Sequence, residues 1–123
     1  MKQLLILVTL LIGSEFCFGQ DFIDPDNFKD KTAKDIVVVE FYAGWNDANA
    51  AKYELSDCSY YLVDISQYID LQMKFDITAI PTVIVFENGE EKIRFLPNVM
   101  FKLDADKKTV QKDIDKLMLA KFN

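Results

Sequence analysis

Three stretches of the chain are apolar, largely β-branched or aromatic, and almost without polar interruption: Ile36-Val37-Val38-Val39-Glu40-Phe41-Tyr42, Tyr60-Tyr61-Leu62-Val63-Asp64-Ile65 and Thr82-Val83-Ile84-Val85-Phe86. Successive side chains of a strand point to opposite faces, so a run apolar at both parities predicts a strand covered on both sides. The segments between them have helical character. Asp47 to about Leu55 predicts one helix and Gln67 to Phe75 another, with Tyr68, Leu71 and Phe75 at i, i+3 and i+7 on one face. Strands alternating with helices predict an α/β domain with a parallel or mixed sheet.

The pattern changes after residue 86. Asn88-Gly89 is a two-residue hairpin signal, because both central positions of a type I′ turn need positive φ, and it predicts an antiparallel return strand from Glu91 to Leu96. A final helix follows, capped by Asp104 or Asp106, with Val110, Ile114, Leu117 and Met118 forming one apolar stripe. The chain thus reads as one domain over 36–123, preceded by a short arm, 20–35, of possible helical character. Internal repeats and low-complexity stretches are absent.

Residues 1–19 have a different pattern. One basic residue, Lys2, precedes an apolar run from Leu4 to Ile12 and a more polar stretch ending Cys17-Phe18-Gly19. This is the layout of a secretory signal peptide cleaved after Gly19, with small residues at −3 and −1. The run is too short to cross a bilayer core of about 30 Å. The expectation is an exported protein, periplasmic or secreted, with no membrane span after cleavage. Loss of Cys17 would leave Cys58 as the single thiol, so no intramolecular disulfide could form.

Composition narrows the chemistry. The chain has 123 residues, 14 Lys+Arg against 20 Asp+Glu, a formal charge of −6 and no histidine. An acidic balance without a basic stripe argues against nucleic acid as a partner. The absence of histidine excludes a Ser-His-Asp triad, a Cys-His dyad and most transition-metal sites. No calcium-loop pattern is present, and no metal or other cofactor is implied.

With the order β, α, β, α, β, β, α in place, two motifs carry a family likeness: Val-Glu-Phe-Tyr-Ala-Gly-Trp at 39–45 and Ile-Pro-Thr at 80–82. Together and in this order they resemble the thioredoxin family, with wording at 39–45 close to its disulfide isomerase branch. The resemblance covers residues 36 to 91 well and the last helix more loosely. It implies a thioredoxin-like α/β fold with a central mixed sheet of about four to five strands flanked by helices.

It also implies where the family's chemistry would sit. In active members a strand ends in Trp and a Cys-x-x-Cys opens the next helix, whose free N–H groups and dipole lower a thiol pKa. Here Trp45 is followed by Asn46-Asp47-Ala48-Asn49. Dithiol exchange needs an attacking and a resolving sulfur, and a carboxamide supplies neither. Asn46 and Asp47 could instead cap the helix, or Asn46 and Asn49 could recognise a ligand. Glu40 matches the family's buried carboxylate, which relays protons to the cysteine pair. Without thiols to serve, it is expected to be hydrogen-bonded in the core, paired with a lysine such as Lys52, or simply inherited. Ile80-Pro81 resembles the family's cis-proline junction, which implies that Ala79 and Ile80 offer an edge to extended polypeptide; Pro81 also sets the turn into the strand at Thr82. Cys58 lies outside the family's catalytic positions, either an inert apolar residue or a lone thiol for exchange.

Two departures from the family bear on function. The span between Asn46 and Tyr60 is short for the helix the family places there. Second, residues 95–103, Phe95-Leu96-Pro97-Asn98-Val99-Met100-Phe101-Lys102-Leu103, insert an apolar segment before the final helix. It either folds down to replace core or forms an exposed patch for a partner or for self-association. The resulting expectation is a redox-inactive, exported module that binds a polypeptide or partner protein. The alternatives are a monothiol exchange protein using Cys58 and a structural subunit associating through 95–103.

Overall fold

The computed structural model describes residues 21–122; the expected signal segment, 1–19, lies outside them. The elements are β1 (Asp21–Phe22), α1 (Pro25–Thr32), β2 (Ile36–Tyr42), a short 3₁₀ helix (Gly44–Asn49), β3 (Ser59–Asp64), α2 (Ile69–Lys74), β4 (Thr82–Glu87), β5 (Glu90–Phe95) and α3 (Lys107–Ala120). They build one five-stranded mixed sheet in the order β1-β3-β2-β4-β5. The strands β1, β3 and β2 run parallel, while β4 and β5 are antiparallel to their neighbours. This is the thioredoxin-like fold that the sequence resemblance implies.

Strand alternation divides the core in two. Val37, Val39 and Phe41 of β2, with Ile84 and Phe86 of β4, face α1 and α2, where they meet Phe28, Leu71 and Ile77. Ile36 and Val38, with Val83 and Val85, face α3 and pack on Val110 and Ile114. The two faces explain why the central strands read as unbroken apolar runs. Segment 21–35, an arm in the sequence, adds β1 to the sheet edge and places Ile23 and Phe28 in the first core. Its helix starts at a capping box in which Asp24 and Asn27 exchange side-chain and backbone hydrogen bonds, with Pro25 as the first helical residue.

The hairpin forms at Asn88-Gly89, with φ of 52° and 87°. The final helix takes Asp106, whose carboxylate accepts from the Thr109 N–H at 2.8 Å, as its N-cap. Two expectations need correction. The helix expected from Asp47 to about Leu55 is 3₁₀ only as far as Asn49, and irregular chain, left-handed at Lys52 and Asp57, follows to the start of β3. The 95–103 segment does not fold wholly into the core either. Phe95 and Leu103 pack on the α3 side, but Leu96, Val99, Met100 and Phe101 remain exposed.

Candidate functional site

The sheet brings the sequence's scattered candidates to one corner. Trp45 sits just beyond the end of β2, and Ala79 and Ile80 precede β4, which pairs with β2 from Phe41↔Thr82 onward. The Ile80-Pro81 bond is cis. Between these elements lies a cavity of about 270 Å³ lined by Ala43, Trp45, Ile65, Ser66, Gln72, Ile77, Thr78, Ala79, Ile80 and Phe101. Trp45 and Phe101 meet edge to face across its mouth, with centroids 6.0 Å apart at 87°. Such pairs satisfy the ring quadrupoles while leaving apolar faces open.

Asn46 and Asn49, at the positions where the resemblance puts the family's cysteines, bond to one another. Asn49 Nδ2 donates to Asn46 Oδ1 at 2.8 Å, and Asn46 Nδ2 donates to the Phe101 carbonyl at 3.2 Å. Asn46 therefore does not cap a helix as its sequence position suggested. Its backbone, at φ −121° and ψ 27°, lies outside helical geometry. Asp47 is exposed and forms an ion pair with Lys52 at 3.2 Å, and Ala48 is exposed beside it.

Glu40 is fully buried, and its carboxylate accepts three hydrogen bonds: from Ala51 N–H at 2.5 Å, Lys52 N–H at 2.8 Å and Tyr60 O–H at 2.5 Å. The expected lysine partner contributes its backbone amide, while its ammonium goes to Asp47. These bonds account for the lost helix. An N–H given to Glu40 is not available to an i−4 carbonyl, and Lys52 takes up a left-handed φ of 46° as the chain turns around the carboxylate. Tyr53 then inserts its ring beside Tyr60, centroids 6.2 Å apart, and donates its O–H to the Ala105 carbonyl. Burial and the neighbouring Glu40 charge push the Tyr53 phenol up to about 12 and raise Tyr60 further still.

Cys58 belongs to a different surface. It packs half-buried against the α3-side core, and burial, reinforced by Asp57 and Asp115, pushes its thiol up to about 11. At neutral pH about one part in ten thousand is thiolate, the reactive form. Among the described residues no group of three or more acidic or cysteine side chains is placed to hold a metal ion.

At the edge, Thr82 Oγ1 donates to the Ala79 carbonyl at 2.6 Å, so that acceptor is already engaged. The N–H groups of Ala79 and Ile80 donate to no protein group among the described residues. Sequence reasoning did not place Phe101, Ile77 or Ser66 in this site. The one signal for Phe101 was the apolar insertion at 95–103; Ile77 and Ser66 carried none, being an ordinary apolar residue and an ordinary turn residue.

No family model matches the chain. Over 77 residues it is 35% identical to a thioredoxin of Mycoplasma genitalium, covering 54% of this chain and 76% of that protein. Thioredoxin-1 of Saccharomyces cerevisiae is 30% identical over 81 residues, 57% of this chain and 77% of the relative. Among solved structures, a mutant thioredoxin from Halobacterium salinarum superposes with a TM-score of 0.65 at 17% identity, covering 81% of this chain and 91% of the other. A thioredoxin of Malassezia sympodialis gives 0.58 at 23%, covering 80% and 90%. With a relative matched over three-quarters of its length and the fold shared across most of the described residues, the chain belongs to the thioredoxin family.

Proposed function

We propose that this member of the family is a redox-inactive binding module that holds extended polypeptide at the corner formed by Trp45–Asn49 and Ala79-Ile80-Pro81. The relatives are named thioredoxins, and dithiol exchange needs two sulfurs about a turn apart. The observation that carries the proposal is the carboxamide pair: Asn49 donates to Asn46 where an exchanging pair would have to be. The N–H groups of Ala79 and Ile80, which donate to no protein group among the described residues, support main-chain pairing with a bound strand. Export by way of residues 1–19, to a periplasm or to the outside, is part of the same proposal.

The test is photo-crosslinking. A photoreactive phenylalanine replacing Ala79 is expected to capture a permanently unfolded, alkylated polypeptide, whereas the same group replacing the exposed Lys112 on α3 is not. Capture at neither position, or equally at both, overturns the reading. Self-association through 95–103 is a second reading, favoured by the 92% exposure of Val99 beside exposed Met100 and Leu96. Light scattering that gives a strict monomer removes it. Monothiol exchange at Cys58 has no comparable support, given its raised pKa.

A further inference from the structure

Apart from the corner, a second hollow opens at the carboxyl ends of the parallel strands β1, β3 and β2, the end at which open α/β sheets receive ligands. It holds about 290 Å³ and is lined by Asp24, Tyr42 and Asp64 together with Phe22, Ile23 and Tyr68. The sheet sets its three polar groups side by side. Tyr42 and Asp64 are register partners of β2 and β3, so their side chains leave the sheet on the same face. The β1–β3 register, Phe22↔Leu62, continues through the Ile23 N–H bond to the Leu62 carbonyl and brings Asp24 to the level of Asp64.

Each of the three keeps an unused acceptor. Asp64 Oδ1 accepts from the Ser66 N–H at 3.0 Å and the Ser66 hydroxyl at 2.5 Å, and Asp24 Oδ1 accepts from the Asn27 N–H at 3.1 Å. The second oxygen of each carboxylate accepts from no protein donor among the described residues. Tyr42 is the sharper case. Only 7% of it is exposed, yet its hydroxyl bonds to no protein group among the described residues, and it lines the hollow. Buried polar groups ordinarily find partners. Burial first, then the Asp64 charge, raises its pKa, so the phenol stays neutral and offers a lone pair.

No side-chain cation answers the two carboxylates. The four ion pairs among the described residues involve neither Asp24 nor Asp64. The hollow therefore calls for a cation rich in N–H donors. A hard metal ion fits poorly, because calcium takes about six to eight oxygens, and no metal-holding group of three or more acidic side chains exists among the described residues. The rings of Phe22 and Tyr68 and the side chain of Ile23 suit methylenes beside an ammonium. Sites for drug-sized molecules begin at about 300 Å³ and benzene fills about 150 Å³, so the occupant is small.

We infer that this hollow binds a small aliphatic diamine, with one ammonium between Asp64 and Tyr42, the other at Asp24, and the methylenes along Phe22 and Tyr68. Two positive ends match two carboxylates, and each end carries three donors.

The probes are α,ω-diaminobutane, its neutral counterpart butanediol, and the monocation butylamine, titrated into the ¹⁵N-labelled chain. Diaminobutane is expected to shift the amides of 22–24 and 64–68 saturably, and butanediol to leave them in place. Butylamine should bind about tenfold or more weakly, the ratio that one charge-assisted hydrogen-bonded end supports. Asp64→Asn keeps the acceptor for Ser66, and Asp24→Asn keeps a good N-cap. Each should weaken diaminobutane by about tenfold. Tyr42→Phe breaks no side-chain hydrogen bond among the described residues, so the fold is retained, and it should weaken binding about threefold or more. Absence of a saturable shift, or an equal shift with butanediol, overturns the inference. So does butylamine binding as tightly as the diamine, which would assign the hollow to a single ammonium such as the end of a partner's lysine. Undiminished binding in Asp64→Asn or Tyr42→Phe, or displacement of the diamine by an equal concentration of calcium, overturns it as well.

Discussion

Asn49 donates its side-chain amide to the side-chain oxygen of Asn46, and Asn46 passes its own amide on to the carbonyl of Phe101. Two residues 55 positions apart are thereby tied together, and the loop 97–103 is held over the corner. Asn46→Ala is expected to release that tie. Because the bond is exposed, the global cost is only about 0.5–1.5 kcal/mol. The local effect is larger: amides at 98–102 should lose protection in hydrogen exchange while those of β2 and β4 keep it. Asn49→Ala, which leaves the bond to Phe101 in place, should disturb the loop less.

Glu40 predicts a much larger effect. Its carboxylate satisfies two backbone amides and a phenol in a site closed to water. Glu40→Ala orphans all three donors, with an expected cost of about 3–5 kcal/mol in urea unfolding, a large share of a small domain's stability. Tyr60→Phe removes a single donor and should cost about 1–2 kcal/mol. In the Glu40→Ala background the Tyr60→Phe change should cost less, because its partner is already gone. Additive losses would contradict the shared site.

The phenols give the pH dependence. Tyr53 is raised to about 12 and Tyr60 is raised as well, both through burial first and the Glu40 charge second. In the unfolded chain such phenols ionise near 10. The unfolded state thus loses protons first as pH rises. Stability contributed by the neutral phenols is complete below about pH 10 and falls between about 10 and 12 and beyond. Chemical unfolding at pH 8 and pH 11, with phenolate absorbance followed in parallel, should show the midpoint dropping as ionisation begins. A Tyr60→Phe variant should lose less over that window.

Cys58 should be a slow thiol. With its pKa near 11, against an ordinary value of 9.0, the thiolate fraction at pH 8 is about a hundredfold lower than in an open chain. A thiol reagent at that pH should react roughly two orders of magnitude more slowly with the folded protein than in urea. Rapid labelling of the native chain would revive a role for this residue in exchange.

Much of this molecule is legible in its sequence. The three apolar runs, the Asn88-Gly89 turn and the stripe on the last helix each express a local rule, and each element lies within a residue or two of its expected place. The segment after Trp45 departs from its local helical preference for a physical reason. Ala50, Ala51, Lys52, Glu54 and Leu55 favour helix by propensity, yet Glu40, eleven positions before Ala51, takes the amides that helix would need. A tertiary acceptor overrides a local preference, and no window of sequence contains both. The same holds for Phe101. Its apolar neighbourhood was visible, but its place against Trp45 depends on a loop whose closure by Asn98 and Asn46 appears only in three dimensions.

On the function proposed above, this corner binds polypeptide without sulfur chemistry. The most direct test is titration of the ¹⁵N-labelled chain with a permanently unfolded polypeptide whose cysteines are all alkylated, so that no thiol or disulfide is on offer. Saturable shifts of the Ala79 and Ile80 amides and the Trp45 indole N–H are expected, unchanged in Cys58→Ser. No shift at these positions, or binding that requires a disulfide in the polypeptide and disappears with Cys58→Ser, would contradict that function.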